Sequence, residues 1–479
     1  MEDLAEVARL WQHAGLPSSS LARLSLMGSP HYLPSAFRAS SAATISIALS
    51  ALAASEIYRL RTGHAHPVCL DRRDACIEFK SQDLFRPRTD QPPPETWDPL
   101  SGLYPTAGGG FIRLHANFPH HKAGLLHILN LPPSAARADI ALALRHRDAL
   151  EFEADATARG MCASACRTPD AWAAHPAGQH IQDTATRMQH VPFHIHAAPS
   201  TAHEDGISWT RTTSSPRNCL SGVRVLDLTR VLAGPIAGRT LASHGADVLW
   251  VTGPHLPSLP TVDGDTSRGK RTIQLDLRAA ADVATIKQLV TSADVFIDAY
   301  RPGALDAFGL DAASLHALNP SLVVARVSAY GRTGPWANKR GFDSLVQAAS
   351  GFNVTEAQHA GDATPKAMPV QALDHASGYF LAFAIMAALH RRDVTASTQN
   401  VAEVSLVWTA EWLRHLGTNK SHEAKLFSDE ELIQASYQVE VGDHKASYAK
   451  RSPDMEPRPK FDYYPQGLCE GAPVWLPRV

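Results

Sequence analysis

From about Ser215 onward the chain alternates short β-branched runs with amphipathic helical patterns, and no other feature narrows its fold so far. The runs VRVLDL, DVLWV, TIQLDL, DVFIDAY and LVVARVSAY are separated by helical stretches at 234–244, 279–290 and near 311–317. Parallel strands cannot be joined by a tight turn, because the chain must cross back over the sheet through a dozen or more residues. This spacing therefore predicts an α/β fold with a doubly wound parallel sheet, Rossmann-like, whose right-handed crossovers bring ligands to the carboxyl ends of the strands. The first strand-to-helix turn, TRVLAGP, lacks G-x-G-x-x-G, and the second strand, DVLWVTG, ends without an acid. Those absences argue against a nicotinamide or flavin dinucleotide and leave another nucleotide-bearing ligand.

At 479 residues the chain exceeds one simple core. Residues 1–205 read as a small α+β domain with a long helix. Helical spacing occurs at 4–14 and 40–61, HPVCLDRRDACIEF runs from strand to helix, and residues 82–102 form a proline-bearing linker. GLYPTAGGGFIRLHAN is a Gly-rich hairpin followed by helices at 121–129, 135–145 and 148–159, with an irregular loop to about His196. Residues 206–419 are the Rossmann-like domain, and residues 420–479 a partly mobile surface tail with one short helix at 429–435. Shifting the chain by 334 positions sets 40–79 against 374–413, a helix, strand and helix in each, with Ser40 opposite Asp374.

Lys+Arg 45 against Asp+Glu 47 leaves a net charge of −2, so no global field points to nucleic acid or an anionic membrane. The N-terminus is acidic and amphipathic rather than a signal peptide, and the soft run 42–54 is too short to span a bilayer; the expectation is a soluble, intracellular, cytoplasmic protein. Six cysteines are too few for a disulfide framework, and neither Cys162/Cys166 nor the histidine pairs 64/66, 120/121 and 194/196 have partners at metal-ligand spacing. No metal is expected.

The stretch PVQALDHASGYFLAFAIMAALHRR places one short acid, Asp374, at the mouth of a long small-residue helix. An aspartate there is commonly a helix N-cap worth about 1 kcal/mol. A carboxylate free of a cation can instead attack an activated acyl group, and small neighbours leave room for a bulky thioester. Arg230, Lys270, Arg271 and Arg301 follow or separate the strands, where a phosphate-bearing ligand would meet them.

Several long motifs in order, GVRVLDLTRVLAGPIAGRTLASHGADVLWV, SRGKRTIQLDL, ADVFIDAYRPGALDAFGLD, LNPSLVVARVSAYGRTGPWANKRGFDSLVQAASG and ALDHASGYFLAFAIMAAL, resemble the class III coenzyme A transferase family, which also includes α-methylacyl-CoA racemases. The resemblance covers about residues 220–412, and more weakly 20–200, with the later portion of the family placed first, as in a permuted or partly duplicated chain. It implies an acyl-CoA:carboxylate CoA-transferase with Asp374 as nucleophile, forming an acyl-aspartyl anhydride and then an aspartyl-CoA thioester. It further implies coenzyme contacts from Lys270, Arg271, Arg301 and Arg230, with coenzyme A and acyl-CoA as substrates rather than a permanently bound cofactor. The partners would be an acyl-CoA and a carboxylic acid, with no nucleic acid or membrane, and a homodimer is among the expected assemblies. The chain departs from the family at Thr252 and Gly253, at Ala299, and at Phe342, where the racemases carry a proton-transferring histidine. The alternatives are a racemase or epimerase using His375 or another histidine, and a non-catalytic acyl-CoA-binding protein.

Overall fold

The computed structural model describes residues 2–87, 95–198, 216–420, 424, 427–441, 444–465 and 467–478. Its largest sheet has seven strands, β1 (Phe193–Ala198), β2 (Arg224–Leu228), β3 (Asp247–Thr252), β4 (Arg271–Gln274), β5 (Val295–Asp298), β6 (Val323–Ser328) and β7 (Thr398–Ser405). They lie in the order β4-β3-β2-β5-β6-β7-β1, all parallel except the edge strand β1, which runs antiparallel to β7. The expected doubly wound α/β sheet is present, and β1 is an addition to it. FHIHAA falls where the sequence predicts an irregular loop, to about His196. It forms a strand because Phe193 faces the core, His196 faces out, and β7 supplies the ladder.

Five helices matter for the site: α1 (Ala39–Thr62), α2 (Pro119–Ile128), α3 (Ala233–Ser243), α4 (Asp343–Ala349) and α5 (Ala372–Thr395). The sheet is covered on both faces, which is why its strands read as unbroken apolar runs. On one face Leu226, Leu249, Ile273, Phe296 and Val324 pack with Ile286, Leu289 and Leu315 of the helices Ala280–Val290 and Ala312–Leu318. On the other, Val225, Val248, Ile297 and Ala325 share a core with α1, α3 and α5. Its residues run from Val7 to Met455, on both sides of the 205/206 boundary expected from sequence, which itself lies outside the described residues.

Small side chains let α1, α3 and α5 approach one another closely. A Cβ at Gly378 would stand 2.6 Å from the Ala233 carbonyl oxygen and 2.7 Å from Ile236. By length and composition α1 and α5 could each cross a membrane, yet the apolar window of each is wholly buried within the protein. The shift of 334 positions places the first residue of α5 one residue ahead of α1, and Leu406, which opens the next helix, on Arg72, which opens its counterpart.

A separate small core is built on the antiparallel strands Gly102–Pro105, Phe111–Leu114 and Ala163–Ala165, with α2 and the helices Arg137–Leu144 and Ala149–Ala158. The C-terminal stretch contains the expected helix, Asp429–Gln434, but also a hairpin, Ser436–Val441 with His444–Ala449, and the strand Pro453–Met455 on Val68–Asp71. Its polar anchor explains why it packs inward. The Glu78 carboxylate accepts from the Ser452 amide and hydroxyl, the Tyr379 hydroxyl and the Arg451 guanidinium, and Tyr448 and Met455 are buried beside it.

Gly378→Ala forces α3 and α5 apart and should destabilise the protein by about 1–3 kcal/mol. The denaturant midpoint reads this loss; an unchanged midpoint would contradict the close approach.

Candidate active site

A cleft of about 360 Å³ opens at the carboxyl ends of β2, β5 and β6, where the strand order reverses direction. The sheet contributes Leu228, the turn Arg230 to Gly234, Ala299, Tyr300, Arg301 and Ser328; the segment before α4 contributes Arg340, Gly341 and Phe342; α5 contributes Asp374; and the small unit contributes Phe118 and His120. Val231 sits in the left-handed region at φ 70°, an unfavourable conformation for a β-branched residue, in the turn that aims the start of α3 at the cleft.

Asp374 lies in the first turn of α5, 6% exposed, and does not cap its own helix. The cap comes from Asp343, whose Oδ2 accepts from the amides of Leu373 (2.9 Å) and Asp374 (3.0 Å), while its Oδ1 accepts from the Gln347 side-chain amide. Among the described residues no hydrogen bond or ion pair engages the Asp374 carboxylate. Burial pushes Asp343 up to about 6, only partly countered by its hydrogen bonds from Asp374, Gln347 and Leu373. Asp374 is raised well above the usual carboxylate range, first by burial and then by the charge of Asp343. A helix N-terminus ordinarily favours a nearby carboxylate; here desolvation and like charge outweigh it.

Three guanidiniums line the same cleft. Arg340 Nη1 meets His121 Nε2 at 2.8 Å, and because burial and neighbouring His120 and Arg340 lower His121 to about 3, the imidazole is neutral and accepts. Arg230 lies 5.2 Å from the centre of the Phe118 ring and donates to the Pro257 carbonyl, and Arg301 is exposed at the rim. The structure thus brings Asp374, Arg230 and Arg301 to one cleft.

Lys270 and Arg271 lie outside it. Lys270 is fully buried beneath α3, bonding Asp227 Oδ2 (2.8 Å) and the Pro235 carbonyl (2.9 Å), so its charge holds the first turn of α3 against β2 instead of meeting a coenzyme. Arg271 grips Asp247 with two hydrogen bonds of 3.0 and 2.9 Å at the amino ends of the strands, on the far side of the sheet from the cleft. The spacing after a strand could not separate a lysine that turns inward from one that faces a ligand.

The imidazoles near Phe342 do not restore the missing proton carrier. Phe342 stacks on buried His115, ring centres 3.7 Å apart and planes nearly parallel, and His115 is lowered to about 3 by burial first and then by neighbouring His121 and Arg113. His375 is fully buried with Nε2 2.8 Å from Gln82 Oε1. Of the residues lining the cleft, only His120 carries an imidazole. Sequence reasoning missed Asp343, Arg340, Phe118 and His120; the first two stand beside Phe342 in KRGFD, which drew notice only for the absent histidine.

Residues 220–427 match the model of CoA-transferase family III. Among its relatives, a probable fatty acyl-CoA transferase (Rv3272) of Mycobacterium tuberculosis is 36% identical over 194 residues, covering 38% of this chain and 49% of that protein. The succinate–glutarate CoA-transferase of Agrobacterium fabrum is 38% identical over 188 residues, covering 36% and 46%. The acetyl-coenzyme A transferase nodX of Hypoxylon pulicicidum is 31% identical over 214 residues, covering 44% and 36%. The crystal structure of Rv3272 superposes with a TM-score of 0.39 at 33% identity, over 42% of this chain and 57% of that one. The chain spans about half the length, or less, of these curated relatives.

Because burial and the neighbouring Asp343 make ionisation of Asp374 costly in the folded protein, Asp374→Asn should be more stable than the wild type at pH 8. The sign follows from its raised ionisation: the wild type loses stability as pH rises through it, so the variant's advantage shrinks toward pH 5. Thermal unfolding at both values checks this, and a variant less stable at pH 8 would contradict it.

Proposed function

We propose that the chain is an acyl-CoA:carboxylate CoA-transferase acting through covalent adducts of Asp374. The carrying observation is a cleft-lining carboxylate that neither caps its helix nor meets a cation, in a segment matching CoA-transferase family III. Relatives named for transfer between succinate and glutarate, and for acetyl-CoA transfer, support the same chemical class.

In this reading an oxygen of the Asp374 carboxylate attacks the thioester carbonyl carbon; the C–S bond breaks and coenzyme A leaves as thiolate. The thiolate attacks the Asp374 carbonyl of the resulting anhydride and releases the donor's acid as carboxylate. An acceptor carboxylate then attacks the aspartyl thioester, and the thiolate returns to the acceptor's acyl carbon, regenerating Asp374. No net proton is consumed. The helix dipole of α5 and the amides at the start of α3 favour the negative charge that develops on the carbonyl oxygen. Arg340, beside Phe342, offers a cation to the acceptor carboxylate, and Arg230 and Arg301 offer cations to the coenzyme's phosphates. Phe342 fills the wall where racemization would need a base, which disfavours that alternative.

Incubation with an acyl-CoA and hydroxylamine should convert Asp374 to its hydroxamate, read by peptide mass spectrometry, and Asp374→Asn should abolish transfer while coenzyme A still binds. Transfer that continues without modification of Asp374 would overturn the assignment, and binding without any transfer across a panel of donors and acceptors would favour a non-catalytic acyl-CoA-binding protein.

A further inference from the structure

A second cleft, of about 340 Å³, lies at the opposite end of α3 from Asp374, where the Lys460 amide donates to the Ser243 carbonyl. Four cations line it, Lys450, Arg451, Arg458 and Lys460, together with the rings of Phe461 and Tyr464. No carboxylate is among its lining residues, and the transfer reaction uses none of them.

The charge in this cleft is only partly compensated: Arg451 is paired with Glu78 and Lys460 with Asp462, while Arg458 has no ion pair among the described residues. Arg451 lies deepest, its side chain 5% exposed; Nη1 meets Glu78 and the Tyr379 hydroxyl, but Nε and Nη2 are enclosed without an acceptor among the described residues. Enclosed guanidinium donors left without acceptors are costly, and an anion is the partner that relieves that cost most fully. Lys450 donates to a neutral group, the Gln434 carbonyl, at 2.9 Å. Among the described residues Lys460 is ion-paired only with Asp462, at 3.1 Å, in a pair that is more than half exposed on both sides and hence weak. Arg458 is exposed and has no ion pair among the described residues. The other wall is aromatic, with Tyr464 fixed by a 3.2 Å hydroxyl contact to Tyr437 and packed 5.5 Å from Tyr448.

We propose that this cleft binds a nucleotide, its phosphate against Arg458 and Lys460 with the charge of Arg451 behind them, and its base against Phe461 and Tyr464. Cations without acids select a phosphate, and a fixed aromatic face selects a planar ring, a combination that a simple inorganic anion leaves half used. The volume suits a nucleoside monophosphate more closely than an entire coenzyme A. A free nucleotide and the nucleotide end of coenzyme A present the same chemistry, so the test carries both.

The test is calorimetric titration of the full chain with AMP, with coenzyme A and with inorganic phosphate, on the wild type and on two variants, Arg458→Glu/Lys460→Glu and Arg230→Glu. Both residues of the first variant are exposed, so folding is retained and circular dichroism verifies it. The expected result is saturable AMP binding stronger than phosphate binding, weakened about ten-fold or more by Arg458→Glu/Lys460→Glu and weakened less by Arg230→Glu. Coenzyme A that loses one of two binding events in the first variant identifies the coenzyme as a second source of the nucleotide. Absence of saturable AMP binding, or AMP binding lost in Arg230→Glu and kept in Arg458→Glu/Lys460→Glu, would overturn the proposal. Since the readout is binding at this cleft, it stands or falls apart from the transferase reading.

Discussion

Two hydrogen bonds, from the amides of Leu373 and Asp374 to one oxygen of Asp343, set the character of the cleft. They satisfy the start of α5 from outside that helix, so the side chain of Asp374 is spared the task its position would ordinarily give it. The same contact holds a second carboxylate beside Asp374 and raises the cost of ionising it. A partnerless carboxylate under like-charge strain is a better nucleophile than one neutralised by a cation or occupied by amides. The reactivity proposed for Asp374 therefore depends on Asp343, a residue that need never touch substrate.

The remaining structure serves to keep those two acids in place. α5 can be buried on almost every face because its residues are small and because Gly378 lets α3 lie against it. α3 is held in turn by the buried Lys270–Asp227 pair beneath its first turn. Removing one member of such a pair would leave an uncompensated buried charge, a loss of about 3–5 kcal/mol. Further along α5, Tyr379 joins Glu78, Arg239 and Arg451, tying the C-terminal stretch to the helix that carries Asp374. Residues distant in sequence thus fix one short turn.

The sheet was legible because a parallel strand buried on both faces leaves an apolar run that nothing else in the chain imitates, and the crossover helices were found to within a residue or two. The place of Asp374 in the first turn of a long buried helix was legible from the small residues of that helix. The strand Phe193–Ala198 was not, although Phe193 and Ile195 alternate with His194 and His196: the alternation is short, and pairing with β7 is what fixes it as a strand. The C-terminal hairpin was missed for a related reason: its stability comes from contacts with residues hundreds of positions away, such as Glu78. Lys270 and Arg271 show the limit most clearly. They are neighbours in sequence at the start of one strand, yet one turns under α3 and the other to Asp247, choices made by acids on other strands. Asp343 was overlooked because a cap thirty positions upstream of its helix has no local signature.

The dependence of Asp374 on Asp343 is tested most directly by the pH profile of acyl transfer to Asp374 in a single turnover, wild type against Asp343→Asn. The asparagine carbonyl can still accept the two amides, so the helix cap survives while the charge is lost. The account predicts that the rate rises with pH through an ionisation above the usual aspartate range in the wild type, and that this limb moves to lower pH in the variant. A limb at the same pH in both proteins would contradict it.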